Sequence, residues 1–379
     1  MRRVAVFLIF FCAGIFNAHA ERAVCQQRHC LAVVDAGSSG SRLHIFAYDV
    51  DSNNTPVKIY ELWSKKIKPG FSALEPNQGA IDTYLNNLFA NAPEHNIPVY
   101  FYATAGMRLL PQPKQQLYYQ ALQQWFSRET QWQLIDSKTI TGREEGVFGW
   151  LAVNYQLGGL NGIDKPLVSV MDMGGASVQV TFPVQDVASI NHEDLVSVDV
   201  SGRHLELFVH SFLGLGNTVL SQQFLDQESC FATGYQLPSG QLGKGDASSC
   251  QHRVSQLVNA VHGVRGIVQP ALASNTAHVW YAMGGVASIA EDKPFSFANN
   301  QLTSQNLLQQ ADNEVCHQQW QELQGQYAHN EYLYGYCLFP AYYYALMVDG
   351  YGLRPEQPIH YLSSGQGADW SLGVVLRQH

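Results

Sequence analysis

The chain has 379 residues, 46% of them hydrophobic, and a formal net charge of −9. That length supports a large core and two domains rather than one. A net-acidic chain with no Lys/Arg block is a poor binder of nucleic acid or anionic membrane, so an anionic ligand would need a local set of donors and metal.

At the N-terminus, Arg2 and Arg3 precede an apolar run, VAVFLIFFCAGIF, and then NAHA, whose Ala18 and Ala20 fit a small-residue cleavage rule before Glu21. This predicts a signal peptide over residues 1–20 and export to the periplasm or beyond the cell. The apolar run falls short of the roughly 20 residues that a bilayer crossing needs, and no later segment reaches that length, so no membrane anchor is expected. Removing the signal takes two arginines and no acid, giving −9 − 2 = −11, and also takes Cys12. Cys25, Cys30, Cys230, Cys250, Cys316 and Cys337 remain. Six cysteines allow fifteen connectivities, and the close-spaced pairs suggest Cys25–Cys30, Cys230–Cys250 and Cys316–Cys337 in an oxidising compartment. A cysteine metal site would need His clusters or C-x-x-C spacing that the chain lacks.

Residues 31–48, LAVVDAGSSGSRLHIFAY, read as a buried strand ending in Asp35, a Gly/Ser turn, and a second strand alternating through Leu43, Ile45 and Ala47. FYATAGMRLL at 101–110 adds a strand, a small-residue turn and Arg108, a fixed cation suited to phosphate oxygens; Arg42 is a second. QQLYYQALQQWFSRE predicts a helix with Leu117, Tyr118, Ala121, Leu122, Trp125 and Phe126 on one face. In TGREEGVFGWLAVNY, Thr141 and Glu144 have the spacing of a capping box. Glu145 is left with no capping duty, in a first turn whose dipole favours a carboxylate. The following helix is predicted to bury Val147, Phe148, Leu151, Ala152 and Tyr155, and QLGGLNG at 156–162 reads as a domain boundary.

Residues 167–182, LVSVMDMGGASVQVTF, repeat the strand, aspartate, turn and strand: Asp172, Gly174 and Gly175, then Val178, Val180 and Phe182. Exposed amides in such turns can surround an anion, and a strand-end aspartate at each supplies hard oxygens for a divalent cation. One such hairpin is weak evidence, because Asp and Gly occur in turns for conformational reasons. Two suggest similar domains facing one cleft. VWYAMGGVASIA at 279–290 gives a third strand ending in glycines, and GADWSLGVVLRQH gives an Asp369 cap and a short terminal helix.

Together DAGSSGSRLHIF, ATAGMR, TGREEGVFGWLAVNY and DMGGASVQVTF resemble, in order and spacing, the apyrase motifs of the ecto-nucleoside triphosphate diphosphohydrolases. The resemblance implies an α/β fold of two actin-like, ribonuclease-H-type domains flanking a nucleotide site. With the boundary at QLGGLNG, the expected division is residues 21–157 plus about 358–379, and 158–357. The resemblance further implies Mg²⁺- or Ca²⁺-dependent removal of terminal phosphates from nucleoside tri- and diphosphates such as ATP, ADP, GTP and GDP, by a soluble, secreted, bacterial-type monomer.

By motif position, Asp35 and Asp172 would hold the hydrated metal. Gly37, Ser38, Ser39, Gly40 and Ser41, with Arg42 and Arg108, and Gly174, Gly175 and Ala176, would bind phosphate. Ser177 and Gln179 would orient the attacking water, and Glu145 would take its proton. The base pocket is expected at Tyr344, Gly285 and Trp370. Gly40-Ser41 departs from the His-Thr or Thr-Ser that animal relatives often carry. An exopolyphosphatase of the same architecture would share Glu145 and both turns without a base pocket. A secreted nucleotide-binding module would keep the site without the chemistry.

Overall fold

A computed structural model describes residues 24–52, 54–93, 96–129, 131–362 and 369–377. The expected signal peptide lies outside the described residues. The chain divides into two compact units, Met1–Thr141 with Ser371–His379, and Gly142–Trp370. The division falls one helix earlier than QLGGLNG, which the structure makes a surface turn.

The first unit is built on five strands: β1 (His29–Ala36), β2 (Ser41–Val50), β3 (Pro56–Ile67), β4 (Ile97–Ala103) and β5 (Trp132–Thr139), in spatial order β3-β2-β1-β4-β5. β1, β2 and β3 are antiparallel neighbours, while β4 and β5 run parallel to β1. β1 reads as a nearly continuous apolar run because both its faces are covered, with Leu31, Ala32, Val33 and Val34 all buried. One core gathers Val34, Ile45, Val99 and Phe101 with residues of the helices Gln78–Phe89 and Gln112–Arg128. The second helix buries Tyr118, Ala121, Leu122, Trp125 and Phe126 as its 3.6-residue period predicts, but Leu117 is exposed. It lies at the rim of the stripe, where the helix surface has already turned toward solvent.

The second unit holds seven strands: β6 (Ser169–Met173), β7 (Ser177–Val184), β8 (Leu195–Val200), β9 (Arg203–Leu213), β10 (Trp280–Gly284), β11 (Gln301–Leu302) and β12 (Ile359–Tyr361). Their order is β11-β12-β10-β6-β7-β9-β8. Within it, β9-β7-β6-β10-β12 repeats the pairing of the first sheet: an antiparallel trio, then two strands parallel to its first member. The duplication inferred from the two Asp-and-turn hairpins is therefore present at the level of whole sheets. β12 pairs with β10 of this sheet, so residues 359–361 belong here and not with the first unit, where the sequence division placed them.

The helix Gly142–Gln156 packs on β6, β7 and β9. It was expected to bury a single face. Instead every residue from Glu145 to Asn154 is buried and Tyr155 is half-buried, as for a helix covered all round.

The disulfides are Cys25–Cys30, Cys230–Cys250 and Cys316–Cys337, the pairs expected from spacing. The last two close loops with sequence separations of 20 and 21 residues in the second unit. Each should contribute roughly 3 kcal/mol by restricting the unfolded chain. Thermal melts with and without reductant are expected to show a large drop in melting temperature on reduction. An unchanged melt after verified reduction would refute it.

Candidate active site

In the first unit, β1 and β4 run parallel with Ala36 beside Ala103, so the turn after β1 and the short helix Ala105–Arg108 after β4 leave the sheet at one edge. In open α/β sheets that edge is where ligands bind. Asp35 is half-buried at the end of β1, in register with Arg42 of β2. Gly37, Ser38, Ser39 and Gly40 make the turn, with Ser39 exposed and Ser41 buried at the start of β2. Arg108 is half-buried, and its guanidinium donates to the Ile140 carbonyl at 3.0 Å, which fixes the side chain beside the C-terminal end of β5.

The second unit repeats this arrangement. Met173 of β6 lies beside Gly284 of β10, and the turn Gly174–Ala176 leaves at the same edge as the helix Gly285–Glu291. The turn is tied from behind: the Gly174 carbonyl accepts from the Asn217 amide at 3.0 Å, Gly175 from Thr218 at 2.8 Å, and Ala176 from Gly214 at 2.8 Å. All three turn carbonyls are thereby engaged by the segment 214–218.

Asp172 is half-buried as a residue, but its carboxyl group is enclosed. Its pKa is pushed up to about 8, by burial first and then by the carboxylates of Glu145 and Asp369. Asp172 thus lies in the field of two further acids, a local negative charge suited to a cation. Among the described residues, no three His, Cys, Asp or Glu side chains form a direct metal-ligand cluster.

Glu145 is 7% exposed in the first turn of its helix. Two glycines make that burial achievable. A Cβ at Gly142 would fall inside the contact radii of Ser211 Cβ and Oγ, and one at Gly146 would lie 2.8 Å from Val209 Cγ1 and 2.9 Å from Thr181 Oγ1. With hydrogens there, the helix end settles onto β7 and β9, and Glu145 reaches Gln179, whose Nε2 lies 3.2 Å from Glu145 Oε2. The same Nε2 lies 2.8 Å from Ser177 Oγ and 2.9 Å from Ser211 Oγ. Ser177 and Gln179 share a face of β7 by the two-residue period of a strand. Glu145, Ser177 and Gln179 therefore meet in one cluster.

The tyrosine run resolves differently. Tyr342 and Tyr343 are fully buried, and Tyr344 is half-buried, its pKa raised by burial and then by Asp349 and Glu356. Where a Cβ on Gly285 would stand lie Asn217 Nδ2 and the Tyr343 hydroxyl, themselves hydrogen-bonded at 2.6 Å. Tyr343 is thus set against Gly285 as packing, which leaves Tyr344, the tyrosine expected at the base, as the partly exposed member of the run. Trp370 is buried and stacks on Phe148, with ring centroids 6.2 Å apart, which ties it to the helix that carries Glu145. The terminal helix Trp370–Arg377 begins directly after Asp369, as expected, but the effect of Asp369 on Asp172 has no sequence signal, and Ser211 and Asn217 carry no motif. Only the alternation of β9, LFVHSFL, hinted that Ser211 would share a face with Val209.

The repeated sheet and its two Asp-ended hairpins place the protein among α/β proteins of the actin-like type. The crystal structure of a nucleoside triphosphate hydrolase from Neospora caninum is similar, with a TM-score of 0.60 at 16% identity over 96% of this chain and 95% of that one. A Ppx/GppA family member from Aquifex aeolicus gives a TM-score of 0.53 at 14% identity over 92% and 96%. Residues 22–379 match the GDA1/CD39 (nucleoside phosphatase) family, and the chain belongs to it. It is 26% identical to ectonucleoside triphosphate diphosphohydrolase 1 of Mus musculus, over 91% of this chain and 79% of that protein. It is 27% identical to apyrase 1 of Arabidopsis thaliana, over 91% and 83%. The protein is a nucleoside phosphatase, an enzyme that hydrolyses phosphoanhydride bonds.

Proposed function

We propose that the enzyme is an exported, divalent-cation-dependent apyrase that hydrolyses nucleoside tri- and diphosphates to the monophosphate and phosphate. The observation that carries this reading is the meeting of Glu145, Ser177 and Gln179 with the Asp172 carboxyl nearby. Ser177 and Gln179 hold a water, Glu145 accepts its proton, and the oxygen attacks the terminal phosphorus in line as the bridging oxygen leaves with the nucleotide. No phosphoenzyme forms.

The amides of the turns Gly37–Ser41 and Gly174–Ala176, with Arg42 and Arg108, are assigned to the phosphate oxygens. Asp35 and Asp172 are assigned to a Mg²⁺ or Ca²⁺ ion through its waters. When bound, the cation supplies charge neutralisation for the polyphosphate. Gly285, Tyr344 and Trp370 are assigned to the base pocket, Tyr344 being the one tyrosine of its run that is not fully buried. Export is supported by three disulfides and by the N-terminal sequence; among the described residues no helix is long and apolar enough to cross a membrane. We assign a monomer.

Phosphate release from a panel of ATP, ADP, GTP, GDP and inorganic polyphosphate, with Mg²⁺ and then excess EDTA, tests the reading. Nucleotide turnover that EDTA abolishes is the expected result. Preference for polyphosphate would overturn the nucleotide assignment, and full activity in EDTA would overturn the cation. The Asp172 carboxyl, protonated in part below pH 8, must lose its proton to serve the cation. Thermal stabilisation by Mg²⁺ is therefore expected to grow as pH rises from 5 toward 8, and a shift that shrinks over that range would contradict the assignment.

A further inference from the structure

Ser211 of β9 lies directly opposite Gln179 of β7 in the antiparallel register. The Gln179 amide nitrogen carries two protons. Around it stand three acceptors: Ser177 Oγ at 2.8 Å, Ser211 Oγ at 2.9 Å and Glu145 Oε2 at 3.2 Å. Two protons cannot serve three acceptors equally. The nearer serines take them, and the carboxylate receives the weakest contact. The Gln179 amide oxygen is buried without a hydrogen-bond partner among the described residues. Turning the amide over would set that oxygen against the Glu145 carboxylate, lone pair to lone pair. The Ser211 hydroxyl stands close against Gly142, where an added Cβ would overlap its Cβ and Oγ.

The structure assigns Ser211 as a positioning residue for hydrolysis. Its hydroxyl accepts the second N–H of Gln179, which holds the amide with its oxygen available to the attacking water and keeps that N–H from closing on Glu145. Without Ser211, the freed N–H turns to the carboxylate and competes with the water for it. Ser211 touches neither substrate nor reacting atoms and acts through Gln179.

This rests on the role given to Gln179 and Glu145 above, and a double-mutant cycle separates the two. Wild type, Ser211→Ala, Gln179→Ala and the double variant are compared by steady-state phosphate release from ATP with Mg²⁺, each with a thermal melt. Ser211→Ala should lower kcat roughly fivefold to tenfold, the worth of one neutral hydrogen bond, with KM and melting temperature close to wild type. In the Gln179→Ala background the same change should cost less than about twofold, since the partner through which it acts is gone. Equal losses in both backgrounds, or wild-type kcat in Ser211→Ala, would overturn the proposal. Wild-type kcat in Gln179→Ala has a different meaning: it removes the water-orienting reading and the Ser211 proposal with it.

Discussion

Glu145→Gln is expected to lower kcat by about a thousandfold while nucleotide binding survives, because a positioned general base contributes typically 10²–10⁴. Glutamine has the shape of glutamate but no lone pair basic enough to take a proton from water. Its neighbours would keep their places, since Gly142 and Gly146, which set the helix on β7 and β9, are untouched. Glu144 provides the control. It is half-buried in the same first turn. If the Thr141–Glu144 spacing forms the capping box that the sequence predicts, changing Glu144 to Ala should cost about 1 kcal/mol of stability and changing it to Gln, which can still cap, should cost little, with turnover preserved in both. Single-turnover hydrolysis with equilibrium binding of a non-hydrolysable nucleotide separates chemistry from affinity. Near-normal turnover in Glu145→Gln, or a collapse in Glu144→Gln, would reverse the assignment of the two acids.

The separation of that pair illustrates what the sequence carries. Local chemistry was legible: strand-end Asp35 and Asp172, their turns, and the apolar stripe of Gln112–Arg128 all depend on residues within a few positions of one another. Long-range choices were not. Whether Leu117 or Tyr118 faces the core is decided by the partner surface, and Tyr343 is drawn into the core beside Gly285 by Asn217, a residue of a distant segment that bonds its hydroxyl. Ser211 meets Gln179 across a separation of 32 residues, through a strand register that neither segment encodes alone. The D-W-S stretch before an apolar run predicts a helix start at Asp369, and the terminal helix does begin at Trp370. The electrostatic effect of Asp369 on Asp172 exists only in three dimensions. The division of the chain failed in the same way, since the helix Gly142–Gln156 is as apolar as a core helix of either unit and only its packing says which.

What a motif shows least is the brace behind it, and the second large effect is expected there. Gly216 precedes the helix Asn217–Gln223, in the segment whose amides hold the carbonyls of Gly174, Gly175 and Ala176. A Cβ at Gly216 would overlap the Ala176 amide nitrogen and the Gly175 carbonyl carbon, well inside contact distance. Those are backbone atoms and cannot swing aside as a flexible side chain would. Gly216→Ala must therefore either displace the turn or peel segment 214–218 from it, and each outcome moves Ser177 relative to Glu145. Misplacement by about 1 Å can cost roughly 10²-fold in rate, so a loss of that order in kcat/KM is expected. Overpacking of roughly 1–3 kcal/mol should also lower the melting temperature by several degrees. Gly70 braces the first turn in the same manner, with a Cβ set 2.6 Å from the Gly37 carbonyl oxygen and closer still to that of Ser38, so Gly70→Ala should behave alike. Gly266, inside the helix Val264–Leu272 with nothing within 4 Å of its would-be Cβ, is the matched control. There alanine should stabilise by up to about 1 kcal/mol and leave activity intact. If Gly216→Ala turns over substrate as Gly266→Ala does, the turn is not held from behind in the way its three engaged carbonyls indicate.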